Sequence, residues 1–312
     1  MIRPVIVVLV ALIVTAGAAA QPPQPTFRAS TELVRIDALV TGKGGPIAGL
    51  TSADFEVKDN GVVQKIQAIS TVAAVQLGVV LDVSGSMSGE RMEIARTATL
   101  DLLAKLAGSD RFAVVASGDQ VARVTTPGAP VADAGAALAS IRAGGATALV
   151  DGIYGGIIEA AQSPGPTLLV VMTDGRNNAS WLTGGGIVDA ARRHEAVIYP
   201  VAVSIDPGWT TGVLAERQTR DSLALLHVLA EETGGRTLTA EWNRRLGEVF
   251  TQILGEYRQR YIITFTPEGV AGGSGWHALS VRVKRRGASV RARSGYWSDV
   301  KPSSTAPAAE MP

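Results

Sequence analysis

Val79-Val80-Leu81-Asp82-Val83-Ser84-Gly85-Ser86-Met87-Ser88-Gly89 passes within a few residues from pure hydrocarbon to one carboxylate and three hydroxyls. The apolar run Leu77–Leu81 has no polar alternation, which predicts a strand buried on both faces, as in a parallel sheet. Asp82 stands where that strand leaves the core. Ser84 and Ser86 follow at a spacing of two, so on extended or turning backbone the three side chains project to one side. Glycines at 85 and 89 let the chain curl back before a helix begins. In open α/β sheets ligands bind at the carboxyl ends of strands. An oxygen-only donor set there suits a hard divalent cation, Mg²⁺ first, with Mn²⁺ or Ca²⁺ as alternatives.

Composition narrows the remaining choices. The chain has 312 residues, 46% hydrophobic and 18% charged, which describes a globular chain long enough for more than one domain. Lys and Arg total 29 against 28 Asp and Glu, so no global field draws nucleic acid or an anionic membrane. There is no cysteine, which excludes disulfides, zinc–thiolate sites, a cysteine nucleophile and a lipidated N-terminal cysteine. Arg3, the apolar run Val5–Val14 and the small residues Ala18-Ala19-Ala20 form the pattern of a secretory signal peptide over residues 1–20. The competing reading is a retained anchor, but the run is shorter than the ~18–20 residues a span needs. Cleavage removes Arg3 and leaves 28 basic against 28 acidic residues. The expected location is periplasmic or extracellular, with no stable membrane span after cleavage.

The proline-rich residues 21–27 read as a flexible start. Thr31–Thr41 alternates, with Val34, Ile36, Ala38 and Val40 on one face and Leu33, Arg35, Asp37 and Leu39 on the other, predicting a half-buried strand. Leu50–Asp54 carries Thr51 and Asp54 at capping-box spacing. Phe55–Lys58, the turn Asp59-Asn60-Gly61 and Val62–Ser70 read as a hairpin. Residues 28–72 thus form a β element. From 74 to 258 buried strands alternate with helical stretches, predicting an α/β domain: a mostly parallel sheet with helices on both faces. Its predicted strands are Leu77–Leu81, Phe112–Ala116, Val121–Thr125 at an edge, Leu168–Met172 and Val197–Val203. Its helices lie over 89–107, 131–141, 147–161, 187–194, 221–233 and 242–257. Residues 259–298 return to strands at Tyr261–Phe265, Ala278–Lys284 and Ala288–Arg293, the last two read as a hairpin around Arg286-Gly287. We expect them to join residues 28–72 in a small antiparallel β domain built from both ends of the chain. The tail 299–312 reads as disordered.

Two further segments share the character of the opening stretch. Gly144-Gly145-Ala146-Thr147 brings a hydroxyl to a helix start, and Thr173-Asp174-Gly175 ends the strand Leu168–Met172 in a carboxylate. Both are expected on the same rim as Asp82. A serine-rich loop alone is often just a helix-capping turn. Three separated pieces in matching contexts are more specific. With these pieces the chain resembles the von Willebrand factor type A domains and their metal-ion-dependent adhesion site, over roughly residues 74–258. The resemblance implies a Rossmann-like fold with Mg²⁺ at the top of the sheet. It implies Ser84, Ser86 and Thr147 as hydroxyl ligands, and Asp82 and Asp174 bound directly or through water. A carboxylate from a partner protein would complete the coordination. Ala146, between Gly145 and Thr147, departs from the family pattern. The flanks, Gly49-Leu50-Thr51-x-x-Asp54-Phe55 and Gly295-Tyr296-Trp297, resemble more loosely those of bacterial exported VWFA-related proteins.

The leading expectation is therefore a non-enzymatic, metal-dependent protein-binding module. The runner-up is a Mg²⁺-dependent phosphotransferase or hydrolase that starts from an Asp at a strand end. That chemistry uses a second acid near the first, where this chain has Ser84. There is no Gly-rich phosphate loop ending in Lys, and Met87 occupies the centre of what would be a nucleophile elbow. A third reading is a scaffold whose metal is purely structural. Ser204–Arg220 is long for a loop of this fold. Its Trp209 and Arg217, with Arg176 and Trp181 after Asp174, are candidate partner contacts, weighed against solvated-loop residues. Asn177 and Asn178 are candidate turn formers. Arg282, Lys284, Arg285, Arg286, Arg291 and Arg293 read as a solvated strand face before a polyanion site. His194, His227 and His277 lie at no metal-ligand spacing.

Overall fold

The computed structural model describes residues 33–126, 128–162, 165–203, 213–242, 245–270 and 274–299. The signal-peptide stretch, the flexible start, Trp209 and the tail from 300 onward lie outside the described residues. At the centre is a six-stranded sheet in the order Leu238–Ala240, Val197–Val203, Thr167–Thr173, Gln76–Asp82, Arg111–Ser117, Val121–Arg123. Its pairs are parallel except the last, where Val121–Arg123 forms an antiparallel edge. This is the α/β class expected from the alternation of strands and helices.

Alternation along the strands feeds two cores. Leu77, Val79 and Leu81 pack with Leu168, Val170 and Met172 against the helices Glu90–Leu103, Val131–Ser140 and Leu246–Arg258. Val80, Leu169 and Val171 face the other way, against Leu149–Ala160, Gly184–Arg193 and Val213–Thr233. Every residue of Gln76–Asp82 is buried, as a central strand covered on both faces requires.

From Gln76–Asp82 the chain runs outward to one side, through Arg111–Ser117 to the edge. It then crosses back to place Thr167–Thr173 on the other side. The helix after Asp82 covers one face and the helix after Thr173 covers the other. The loops leaving these neighbouring strands therefore part, opening a crevice at the switch point.

Two antiparallel sheets carry the flanking strands. One has the order Ser289–Arg291, Val34–Gly42, Tyr261–Phe265, Ala68–Thr71, with Gly45–Pro46 beside Val34–Gly42. The other runs Gly295–Ser298, Gly275–Val283, Phe55–Asp59, Val62–Gln64. Ile36, Val40, Phe55, Val57, Ile263 and Phe265 form their shared core.

Four expectations are corrected. Gly275–Val283 and Ser289–Arg291 are not a paired hairpin: the first pairs with Phe55–Asp59, the second with Leu39–Thr41. Val62–Ser70 is not one strand: Val62–Gln64 closes the hairpin over Asn60-Gly61, while Ala68–Thr71 joins the other sheet. Both Asn60 (φ 46°) and Gly61 (φ 86°) adopt the left-handed region that such a turn demands. Val34–Gly42 is buried on both faces over its central part, because Asp37 and Leu39 face the α/β layer rather than solvent. The helix expected from 221 begins at Val213, so Arg217 lies on a helix and not in a loop. The strands Leu238–Ala240 and Gly295–Ser298 were not expected from the sequence.

Arg260 ties these layers together. Its side chain is fully buried, and Nη2 donates to the carbonyls of Asp37 (2.8 Å) and Gly234 (2.9 Å), while Nη1 donates to the Tyr199 hydroxyl (3.2 Å). Nearby, Arg293 donates to the carbonyl of Arg192 (2.8 Å), and Ser294 N to that of Glu232 (3.0 Å). Arg35 donates to the Gly165 carbonyl (3.2 Å). Burial pushes the Asp37 carboxyl up, with Arg260 and Arg35 opposing that shift.

We expect Arg260→Ala to lower stability by about 3–5 kcal/mol, because carbonyls and a carboxylate then stay buried without their cation. Arg260→Lys is not expected to rescue it, since an ammonium cannot span the same fork of acceptors. Arg217→Ala, which removes an exposed pair to Asp221 (3.8 Å), is expected to cost under about 0.5 kcal/mol. Chemical denaturation of the three variants measures all three values.

Candidate metal centre

Asp82 ends its strand fully buried. Its Oδ1 accepts the Ser84 N–H (3.0 Å) and its Oδ2 accepts the Thr173 hydroxyl (2.9 Å). Thr173 Oγ1 in turn accepts from Gly175 N (3.0 Å), which folds the second loop around the first. Burial, and after it the charge of Asp174, pushes Asp82 up to about 6, against the hydrogen bonds from Ser84 and Thr173. The dominant charge around this carboxylate is thus another carboxylate.

The serines follow on a short 3-10 turn, Gly85–Met87. Ser84 Oγ and Ser86 Oγ lie 3.2 Å apart, the common side expected from their spacing. Met87, fully buried, anchors the turn in the core. Arg91 Nη1 holds the Ser86 carbonyl (3.1 Å). Gly89 then takes φ +75° and ψ −135°, a conformation side chains disfavour, and the helix Glu90–Leu103 starts.

The loop that precedes Thr147 is bonded to the serine loop. Gly144 N donates to Val83 O (2.9 Å) and Gly85 N to Gly145 O (3.0 Å), so the two loops run against each other. Thr147 is buried, its N–H donating to Asn178 Oδ1 (2.8 Å), while its carbonyl accepts from Asn178 N (3.0 Å) and Ala179 N (3.1 Å). Asn178 is therefore a brace for Thr147 and not only a turn former. Asp174, also buried, accepts the Arg176 N–H on Oδ1 (3.3 Å).

Of the other sequence candidates, Arg176 is partly buried beside Asp174 through that backbone bond. Trp181 is 95% exposed on the loop that follows. Arg217 is exposed on its helix, two residues before Thr219, and the packing of Thr219 against Gly175 brings that helix to the rim.

Sequence reasoning missed Asp119, Ser117 and Thr219. Asp119 accepts the Ala146 N–H, so it occupies the space a side chain at Gly145 (φ +71°) would need. Ser117 Oγ donates to the Ala148 carbonyl (2.9 Å), and its own carbonyl accepts from Val83 N. Ser117 ends the strand Arg111–Ser117 and Asp119 lies two residues beyond it, and the strand-end rule applied there would have found them. Thr219 has a buried hydroxyl without a partner among the described residues, and no sequence signal marks it.

The donor chemistry fits a hard cation. Two carboxylates and three hydroxyls come from three loops at one switch point, with no nitrogen or sulfur donor required. Among the described residues no group of three or more His, Cys, Asp or Glu forms an alternative site.

Comparison with known proteins agrees with this architecture. Residues 77–177 match the family model for the von Willebrand factor type A domain. The matched span holds Asp82, Ser84, Ser86, Thr147 and Asp174. The uncharacterized protein sll0103 of Synechocystis is 36% identical over 107 residues, 32% of this chain and 25% of its own length. Proximal thread matrix protein 1 of the mussel byssus, solved with a zinc-occupied MIDAS motif, aligns with a TM-score of 0.50 at 15% identity. The alignment covers 64% of this chain and 50% of that one. BatB from Bacteroides thetaiotaomicron aligns at 18% identity and a TM-score of 0.45, over 59% of this chain and 98% of its own. The chain thus spans a quarter of the length of its curated relative, and the mussel alignment speaks to fold alone.

Close packing fixes the helix that presents Thr147. A Cβ on Gly152 would lie 2.5 Å from Ser117 Cβ, and one on Gly156 would lie 2.4 Å from Val80 Cγ2. Gly152→Ala is therefore expected to destabilise by about 1–3 kcal/mol through overpacking. Gly135→Ala, in a helix with open space around it, is expected to stabilise by about 0.5–1 kcal/mol. Thermal unfolding of both variants tests this opposition of sign.

Proposed function

We propose that this protein is an exported, non-enzymatic binding module that captures a carboxylate of a partner protein at a Mg²⁺ ion. Asp82, Ser84, Ser86, Thr147 and Asp174 would hold the ion. In this reading the type A domain spans 74–258, and residues 28–72 with 259–298 form the β domain that carries it. The carrying observation is the joining of the three donor-bearing loops at the crevice where the helices after Asp82 and Thr173 part. A bound divalent ion supplies positive charge and an open coordination position, because three of the five donors are neutral hydroxyls.

The residues themselves do the rest. Thr173 and Ser84 orient the Asp82 carboxylate, Asn178 and Asp119 fix the loop of Thr147, and Met87 keeps the serine turn in place. Domains of this family commonly act as metal-dependent adhesion or interaction modules. The zinc-occupied motif of the mussel protein supports a divalent ion at such a rim. Export is supported by the signal-peptide pattern. Among the described residues, no helix is long and apolar enough to cross a membrane.

Thermal unfolding in Mg²⁺, Mn²⁺ and chelator tests the site. Mg²⁺ at about a hundred times its Kd is expected to stabilise the wild type by about 2.7 kcal/mol. Asp82→Ala and Asp174→Ala are expected to lose that gain, and equal gains in wild type and Asp82→Ala would rule the site out. Metal-dependent hydrolysis of a generic phosphate ester, lost in Asp82→Ala, would replace the binding module by an enzyme.

A further inference from the structure

We propose that Trp181 sets partner specificity: the partner's acidic residue is accompanied by a large apolar side chain, which Trp181 and the adjoining helix surface receive. The inference rests on the metal-dependent binding proposed above.

Trp181 is 95% exposed, yet its backbone and its neighbours are bonded to Thr147 and to the start of the helix that follows it. Trp181 N donates to Asp151 Oδ2 and Leu182 N to Asp151 Oδ1, both at 2.9 Å. Val150 N donates to Ser180 Oγ (3.0 Å), and Asn178 clasps Thr147 at N–H and carbonyl. The segment 178–182 is thus laid along the first turn of the helix that Thr147 introduces. An exposed indole on a fixed backbone loses little freedom on binding, and such residues dominate interface energetics.

The surface continues in the same character. Asp151, Tyr154 and Ile158 share one helix face by their spacing. Tyr154 is 40% exposed, and Ile158 and Leu182 are each 37% exposed. Val121, exposed on the edge strand, lies against Gly155. With Trp181 these four make five of the eleven exposed large hydrophobic residues among the described ones. Apolar residues gathered this way mark interaction surfaces.

Continuity with Thr147 decides the occupant. One helix turn rises about 5.4 Å, a distance an extended peptide covers in about two residues. A single segment can place its acid on the metal and an apolar side chain on Trp181. The strip is therefore assigned to the metal's own partner, in preference to a second copy of this chain.

Selection of a displayed random peptide library on the full-length protein, in Mg²⁺ and in chelator, tests this. Wild type is expected to enrich, only in Mg²⁺, peptides with an acidic residue and a large apolar residue at a fixed offset within about three positions. Trp181→Ala is expected to keep the acidic preference and lose the apolar one, and to bind the wild-type peptides about tenfold more weakly. Trp181→Phe is expected to retain both. If Trp181→Ala selects the same apolar position, the specificity role is overturned while metal binding stands. If wild type shows no Mg²⁺-dependent acidic preference, the binding reading itself falls and takes this one with it. Metal-independent dimerisation by sedimentation, abolished in Trp181→Ala, would reassign the strip to self-association.

Discussion

A carboxylate sealed from water at the end of a central strand is the constraint around which this molecule is arranged. Asp82 is fully buried, and the charge that acts on it is that of a second buried carboxylate, Asp174. Such a pair is costly unless its oxygens are engaged. The protein engages part of that capacity with Ser84 N and the Thr173 hydroxyl. The sheet order follows the same logic: only where adjacent strands send their helices to opposite faces can two strand-end acids stand beside an open crevice.

The β layers are joined at the other end of the sheet. Arg35 bonds Gly165, just before the strand Thr167–Thr173, and Arg293 bonds His194, just before Val197–Val203. Both anchors lie at the amino ends of parallel strands, whereas Asp82 and Asp174 lie at the carboxyl ends. The buried Arg260 strengthens the same joint by gathering carbonyls of Asp37 and Gly234. Gly234 has φ +80°, and a Cβ there would lie 2.6 Å from the Ala292 carbonyl carbon, so glycine is the residue that lets the layers close. Attachment at the amino ends keeps these joints away from the rim that carries Asp82 and Asp174.

Legibility in the sequence divided along the range of the forces involved. Continuous apolar runs such as Leu77–Leu81 and Leu168–Met172 carry their burial in their own composition, so the parallel sheet was readable. Asp82, Ser84, Ser86 and Asp174 were readable because each sits a fixed short distance from such a run. Strand partners more than two hundred residues apart were not. Nothing local distinguishes Ser289–Arg291 pairing with Leu39–Thr41 from Ser289–Arg291 folding back on Gly275–Val283. The buried outer face of Val34–Gly42 escaped for a related reason, since Asp37 looks like a solvent residue until Arg260 is placed beside it. Asp119 and Asn178 brace the site through single hydrogen bonds to backbone, and such bonds have no spacing to read.

The same partition separates the proposed metal ligands from the proposed partner contact. Candidate ligands come from positions dictated by the sheet, so strand ends and helix starts set their relative placement. Asn178, Ser180 and Asp151 then transfer that rigidity outward, one hydrogen bond at a time, to Trp181, whose side chain remains in solvent. An exposed side chain on a backbone fixed in this way can change what it recognises without disturbing the residues beneath. Trp181 occupies such a position. Substitution there changes exposed apolar surface and leaves the Asp151 bonds to the main chain intact, which separates the chemistry of capture from the chemistry of choice.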